Sequence, residues 1–396
     1  MGTYRVGMLG VGPRGLKQAR AYMAHPRTEL AALSDVDPER LAKASAEFGV
    51  ERTYSDYHEM LDREDLDIVN IPTRTDLHAP LTIGVLEHRA PKAIVVEKPM
   101  ANSLADADRM VELAETTGTR LAVHHQTRTP PPFLVAARMI NAGEIGPLTS
   151  IKIRGKGYYG GYDMLNIGTH LLNATRRFAG DARSVVALCE TGGRPTRAED
   201  IVEGPYGFGL IAGEDISGVY AFTNGLKAFT EMHRRSEHGG WVHIKIYGED
   251  GALCLYNSNA LFIRRGRDAV VGDVPWVKHE LADTDRYIHG HDFYDDTWKS
   301  GDLWMAEETV GMLDESREHE CRGYEGRAVM EMMDGTWQSH FSGARVDFPL
   351  TRDEHPLRRE LAAAGLPDPD PERGTLRYRE WLPGELGRID GGLDHT

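Results

Sequence analysis

At 396 residues the chain is longer than one ordinary domain, and 40% hydrophobic, 8% aromatic and 27% charged residues put it among globular proteins, not disordered or fibrous ones. Sixty-one acidic against forty-six basic side chains leave a formal charge of −15, which opposes broad contact with nucleic acid or anionic lipid. No apolar run approaches the roughly 18 residues that cross a bilayer, a strand pattern starts within a few positions of Met1, and Cys189, Cys254 and Cys321 are isolated, so a cytoplasmic protein without membrane contact is expected.

Over residues 1–124 short apolar runs alternate with amphipathic ones. Strands are expected at 4–9, 30–34, 67–71, 93–96 and 121–124, and helices at 16–24, 39–48, 79–87 and 105–117. This βαβ rhythm predicts a doubly wound parallel sheet, a Rossmann domain. After Thr129-Pro130-Pro131-Pro132 the texture changes: a helix at 133–141 leads into strands at 149–156, 183–190, 218–223, 226–233, 241–247 and 252–256, with helices at 164–178, 304–316 and 326–341. Strands that follow strands predict an α+β domain over 125–350 with a large, mainly antiparallel open sheet. Residues 351–396, rich in Pro, Gly and charge, read as a tail free to wrap the body or a neighbouring subunit.

The sharpest motif is Gly10-Val11-Gly12-Pro13-Arg14-Gly15, which follows the first strand and opens a helix; Asp35 ends the second strand twenty residues after Gly15. Gly10 permits the tight turn, Gly12 lets backbone approach a pyrophosphate, and Gly15 lets the helix lie close to the strand; the helix N-terminus then faces the anion. Pro13 and Arg14 belong to the same cradle. A carboxylate at Asp35 can accept from adenine-ribose hydroxyls and would repel a phosphate there, so NAD is favoured over NADP, with Arg40 read as a surface charge.

These elements, together with Asp35-Val36-Asp37-Pro38-Glu39-Arg40, Val96-Glu97-Lys98-Pro99-Met100-Ala101, Gly143-Glu144-Ile145-Gly146, Gly168-Thr169-His170, Tyr247-Gly248-Glu249-Asp250-Gly251 and Arg345-Val346-Asp347-Phe348-Pro349-Leu350, make the sequence resemble the Gfo/Idh/MocA oxidoreductases. The resemblance spans most of residues 4–350 and implies NAD, a small carbohydrate substrate and a homo-oligomer, dimer or tetramer, joined through the outer face of the second domain's sheet. It is specific to the family and silent on the sugar.

Lys98 stands past the end of an apolar strand, where open α/β sheets place ligands, and its ammonium could steady a developing alkoxide; position alone leaves a surface lysine equally open. The resemblance favours the catalytic role and adds Glu97 to the cofactor site. On the predicted helix 164–178, Asn166, His170 and Asn173 are spaced to share a face, and an imidazole suits proton transfer near neutral pH. A core histidine is the plainer reading of a lone His; the resemblance makes His170 the general base and acid. Two departures stand out. Asn166 replaces the family's common Asp, with Asp163 the nearest carboxylate to take over, and Arg74 replaces a frequent Pro in Ile71-Pro72-Thr73-Arg74-Thr75-Asp76-Leu77-His78, where Thr73, Arg74 and His78 are cofactor candidates. Arg74 is equally open as a substrate anchor, a diphosphate contact or a solvated charge.

Tyr158, Tyr159 and Tyr162 suit stacking on a sugar ring or simple core packing. Arg128, Lys156 and His233 are weaker pocket candidates. His124-His125 and His289-Gly290-His291-Asp292 lack a second ligand set, so no metal is expected. Three functions remain open: an NAD-dependent sugar, polyol or glycoside dehydrogenase; a redox-neutral glycosidase working by transient oxidation, elimination, water addition and re-reduction; and a non-catalytic dinucleotide-sensing regulator.

Overall fold

The computed structural model describes residues 2–234, 242–257, 259–266, 274–298, 300–350 and 354–370. They group into two compact units: residues up to 126 with 301–327, and the described residues of 127–300 with those from 328 to 370.

In the first unit six parallel strands, β1 (Tyr4–Leu9), β2 (Thr28–Ser34), β3 (Thr53–Tyr54), β4 (Ile68–Ile71), β5 (Ala93–Val96) and β6 (Arg120–Val123), lie in the order β3-β2-β1-β4-β5-β6. The order reverses between β1 and β4, which opens the crevice that such sheets use for ligands. β4 and β5 are buried throughout, in keeping with apolar runs broken only by Asn70 and with helices on both faces. The helices are α1 (Pro13–Ala24), α2 (Pro38–Phe48), α3 (Tyr57–Arg63), α4 (Thr75–Arg89) and α5 (Leu104–Thr117). Local chemistry sets their ends. Asp37 caps α2 by accepting from the Glu39 and Arg40 amides, and Ser103 caps α5 by accepting from Asp106. The short β3 and α3 escape the sequence pattern, and α4 starts four residues before the expected position because Pro80 is tolerated inside it.

The helix expected at 304–316 forms as Asp302–Glu315, but it belongs to the first unit and not to the expected 125–350 domain. Long-range ion pairs explain this. Arg27 grips Asp314 at 2.7 and 2.9 Å, Tyr4 donates to Asp314 at 2.8 Å, and His25 meets Glu307 at 2.8 Å. Residues 321 and 322 then lie along β6, where Val123 N–H donates to Cys321 O at 2.8 Å and Ala122 bridges Arg322, so the sheet edge is covered.

The second unit is built on a mainly antiparallel sheet in the order Val277–His279, Ala260–Arg265, Gly251–Tyr256, His243–Gly248, Leu148–Arg154, Lys227–His233, Asp215–Phe222, Ala182–Thr191, Val346–Asp347. One pair, Leu148–Arg154 with Lys227–His233, is parallel. Trp241 of the expected strand lies outside the described residues, and the strands Ala260–Arg265 and Val277–His279 are additions to the expected set. Alternation separates two faces. Inward, Tyr220 meets the Thr336 hydroxyl and Trp337 donates to Ala212 O at 3.1 Å; outward, Val186, Leu188, Val219 and Phe229 stay exposed. The expected tail contains a helix, Pro356–Ala363, seated by the buried Leu357 and Leu361; residues 371–396 lie outside the described set.

Candidate cofactor and active site

The glycine-rich loop has the features its spacing predicts. Gly10 adopts φ +107°, a region that L side chains rarely enter, and a Cβ on Gly15 would sit 2.3 Å from Gly10 O, so α1 can approach β1 only with glycine there. Gly12 has open space where a Cβ would go, and as the N-cap of α1 it supplies no side-chain acceptor. The first amides of α1 therefore face room that an anion can occupy. Asp35 is half-buried and ties the cradle together: its carboxylate accepts from Val11 N–H and from Asp37 N–H, each at 2.9 Å. Arg40 is exposed and pairs with Asp37 at 3.2 Å, as a surface charge would. Open space at Gly12, a bare helix N-terminus and an acid closing β2 fit NAD.

Thr73 reaches towards Gly10 from the end of β4, whereas Arg74 is exposed and turned to Asp76 at 3.1 Å. His78 is fully buried with both ring nitrogens on backbone carbonyls, Nδ1 2.7 Å from Pro99 O and Nε2 3.0 Å from Thr73 O. It joins the β4 and β5 loops instead of presenting itself to a cofactor. Burial lowers its pKa despite those carbonyls.

The Arg14 amide is the first N–H of α1, but its side chain is not in the cradle. Expected in the cofactor cradle, its side chain is 7% exposed and points into the unit. It holds Asp302 at 2.6 and 3.3 Å and Glu97 Oε2 at 3.3 Å, while Gln18 donates to the same Glu97 oxygen at 2.6 Å. His124 Nδ1 lies 3.4 Å from Arg14 and its Nε2 3.5 Å from Asp302. One tautomer satisfies both contacts: Nδ1 accepts from Arg14 and Nε2–H faces Asp302. Asn70 donates to Gln18 at 2.6 Å and Tyr22 to Asn70 at 3.3 Å. Burial by itself would raise the Glu97 pKa, but the positive field led by Arg14 wins and holds it at about 2. Burial would likewise disfavour the Arg14 cation; Asp302 and Glu97 more than reverse that. Burial lowers His124, leaving it neutral near pH 7. Lys98, next after Glu97, is also buried. Gln18, Asn70, His124 and Asp302 are missed by motif reading; Asp302, 288 residues from Arg14, carries no local signal.

In the second unit the expected helix 164–178 runs to Ala179, but Met164–Gly168 is a π-helical turn preceded by a short α-turn, Gly160–Asp163. The wider turn rotates Asn166 relative to an ideal α register with His170, and such turns recur at functional sites. Asn166 donates to Tyr162 OH at 3.1 Å, and Asp163 accepts from Gly157 N–H at 3.1 Å inside its own loop. The tyrosines are core-packed: Tyr158, Tyr159 and Tyr162 are each at most 3% exposed, with Tyr162 against Tyr158 and Phe208 at 5.7 and 5.6 Å. Lys156 lies over the Tyr158 ring, Arg128 is buried and donates to Asn173 O at 3.3 Å, and His233 bonds Ser217 at 2.8 Å. His170 and Asn173 are buried on the same helix. In the His289–Asp292 run, Asp292 pairs with Arg286 and His291 packs on Trp298.

Residues 4–125 match the GFO_IDH_MocA family, described as "Oxidoreductase family, NAD-binding Rossmann fold". This NAD-binding domain belongs to that family. D-apiose dehydrogenase of Paraburkholderia graminis is 36% identical over 143 residues, which cover 36% of this chain and 38% of that protein, so the likeness is confined to about a third of either chain. Levoglucosan dehydrogenase of Pseudarthrobacter phenanthrenivorans is 26% identical over 295 residues, 64% of this chain and 73% of the relative. Among solved structures, a levoglucosan dehydrogenase in complex with NADH and levoglucosan has a TM-score of 0.73 at 19% identity over 88% of this chain and 100% of that one, a likeness of fold. Among the described residues no helix is long and apolar enough to cross a membrane.

Proposed function

We propose that the chain is an NAD-dependent dehydrogenase acting on a carbinol of a sugar, polyol or related glycoside. The observation that carries this reading is a buried lysine, Lys98, directly past β5 at the ligand end of an NAD-binding sheet, followed far along the chain by a buried histidine on a helix with a π-turn. The names of the dehydrogenase relatives support the substrate class. Bound NAD supplies a hydride acceptor at its nicotinamide ring. The α1 amides and Gly12 hold its diphosphate, and Asp35 accepts from the adenine ribose. His170 takes the hydroxyl proton, and Lys98 Nζ–H steadies the developing alkoxide as the carbinol C–H bond breaks.

The test is incubation of purified protein and NAD with free sugars, polyols and aryl glycosides, following absorbance of reduced cofactor and released aglycone together. Reduced cofactor that accumulates in step with an oxidised sugar is expected. Aglycone release without net reduction would assign the redox-neutral cleavage instead, and NAD binding without turnover on the whole panel would leave the regulator. The same reading includes a homo-oligomer paired through the exposed Val186, Leu188, Val219 and Phe229. Val219→Glu with Leu188→Glu should lower the mass measured by light scattering to that of the monomer, and an unchanged mass would move the interface elsewhere.

A further inference from the structure

The chain first leaves the first unit after residue 126 and first returns at 301. Arg14, in the glycine-rich loop, contacts a side chain beside each of these points. His124 lies two residues before the exit, 3.4 Å from the guanidinium. Asp302 is the first residue of the returning helix and takes two Arg14 nitrogens, at 2.6 and 3.3 Å. Gly301, at φ +84°, makes the turn that aims Asp302 inward, and Gly301 O accepts from Met305 N–H at 3.0 Å. Arg14, Asp302, Glu97 and His124 are all at most 7% exposed, so the contacts act in a low-dielectric setting where geometry is tightly held.

Two further features make this more than a fold-stabilising pair. Arg14 is the second residue of α1, one position from the bare N-terminus, so a force on its side chain acts on the first turn that faces the cofactor diphosphate. With His124 neutral, Arg14 faces two carboxylates, and Asp302 is the one that motif reading has no reason to place there. Glu97 alone would balance the guanidinium; Asp302 adds a tie to the returning chain.

We propose that Asp302 is a positioning residue: through Arg14 it couples the cofactor loop to the first exit and first return of the chain, so that NAD seated on α1 also orders those two connections. The coupling rests on the NAD-binding reading above. Because the connections carry every residue between 127 and 300, His170 included, their order bears on turnover more than on cofactor affinity.

Hydrogen–deuterium exchange on the full chain, with and without NAD, tests this without requiring the substrate. In the wild type NAD should slow exchange at least fivefold in peptides covering 122–130 and 298–306. Asp302→Asn, which keeps the shape, should abolish that protection while NAD affinity by calorimetry stays within about threefold, and Asp302→Glu should restore part of it. Once a substrate is known, Asp302→Asn should lower kcat with little change in the KM for NAD. Equal NAD-induced protection in wild type and Asp302→Asn overturns the proposal, as does a wild type that binds NAD with no protection at either segment. A wild type that fails to bind NAD overturns the cofactor reading itself and is seen first in the calorimetry. If Asp302→Asn fails to fold, His124→Gln, which loosens the exit side alone, should lose protection at 122–130 and keep it at 298–306; protection kept at both overturns the coupling.

Discussion

The two units solve the problem of a buried polar site in opposite ways. Around α1 the first unit buries full charges and pairs them, with Arg14 between Glu97 and Asp302 and a neutral His124 filling the gap. Around His170 the second unit buries amides, phenols and an imidazole, and the buried charges beside them bond backbone atoms: Asp163 accepts from Gly157 N–H and Arg128 donates to Asn173 O, while Asn166 donates to Tyr162 OH. A paired buried charge tolerates little displacement, because any loosened ion faces a large desolvation penalty. Neutral groups tolerate more. On this reasoning the Arg14 cluster resists displacement more than the neutral groups around His170.

Four substitutions or conditions bear on that contrast. Lys98→Ala should give the largest effect, a fall in turnover of about 10³ with NAD affinity nearly intact, as expected for loss of a group acting on the developing oxyanion; an unchanged rate in steady-state kinetics removes Lys98 from the chemistry. Next, Arg14→Met leaves Glu97 and Asp302 buried without their cation and should cost about 3–5 kcal/mol in urea unfolding. The double variant with Asp302→Leu should recover part of that. A loss below about 1 kcal/mol would mean that the cluster is well hydrated.

Third, the first unit should weaken in acid. His78 and His124 have folded pKa values below 6.5 because of burial, so the stability from keeping them neutral is present above 6.5 and is lost as pH falls through their lowered values. Glu97, held at about 2, adds a further loss from its ordinary 4.5 downward. Urea midpoints should drop steadily below pH 6.5, and His124→Gln should flatten the upper part of that slope; an unchanged slope would place the sensitivity in other groups. The smallest effect is expected on the neutral side. Asn166→Asp should stabilise the His170 imidazolium and move the acid limb of the rate profile upward by up to about one pH unit, and a limb that stays in place would show that the π-turn keeps position 166 out of reach.

Much of this could be read along the chain. Gly10, Gly12, Gly15 and Asp35 announce a dinucleotide loop because short-range sterics decide which residues a tight turn and a close helix allow, and the structure gives each the expected geometry. Arg14 shows the limit. Its place in the motif suggests a cofactor contact, but the partner that turns it inward, Asp302, is 288 residues away. His78 was likewise recognisable as part of the site segment, and only its two carbonyl contacts show that it braces the loops.

Periodicity, glycine spacing and strand-terminal acids are local, so the residues alone determined a parallel NAD-binding sheet followed by an open antiparallel one. Tertiary structure decided the rest: the allegiance of the Asp302–Glu315 helix, the inward turn of Arg14, the core packing of Tyr158, Tyr159 and Tyr162, and the π-turn before His170. The helix, Arg14 and Tyr162 depend on charges or rings brought together from distant positions, Asp314 on Arg27, Asp302 on Arg14 and Phe208 on Tyr162, and buried pairing energy outweighs local preference once water is excluded.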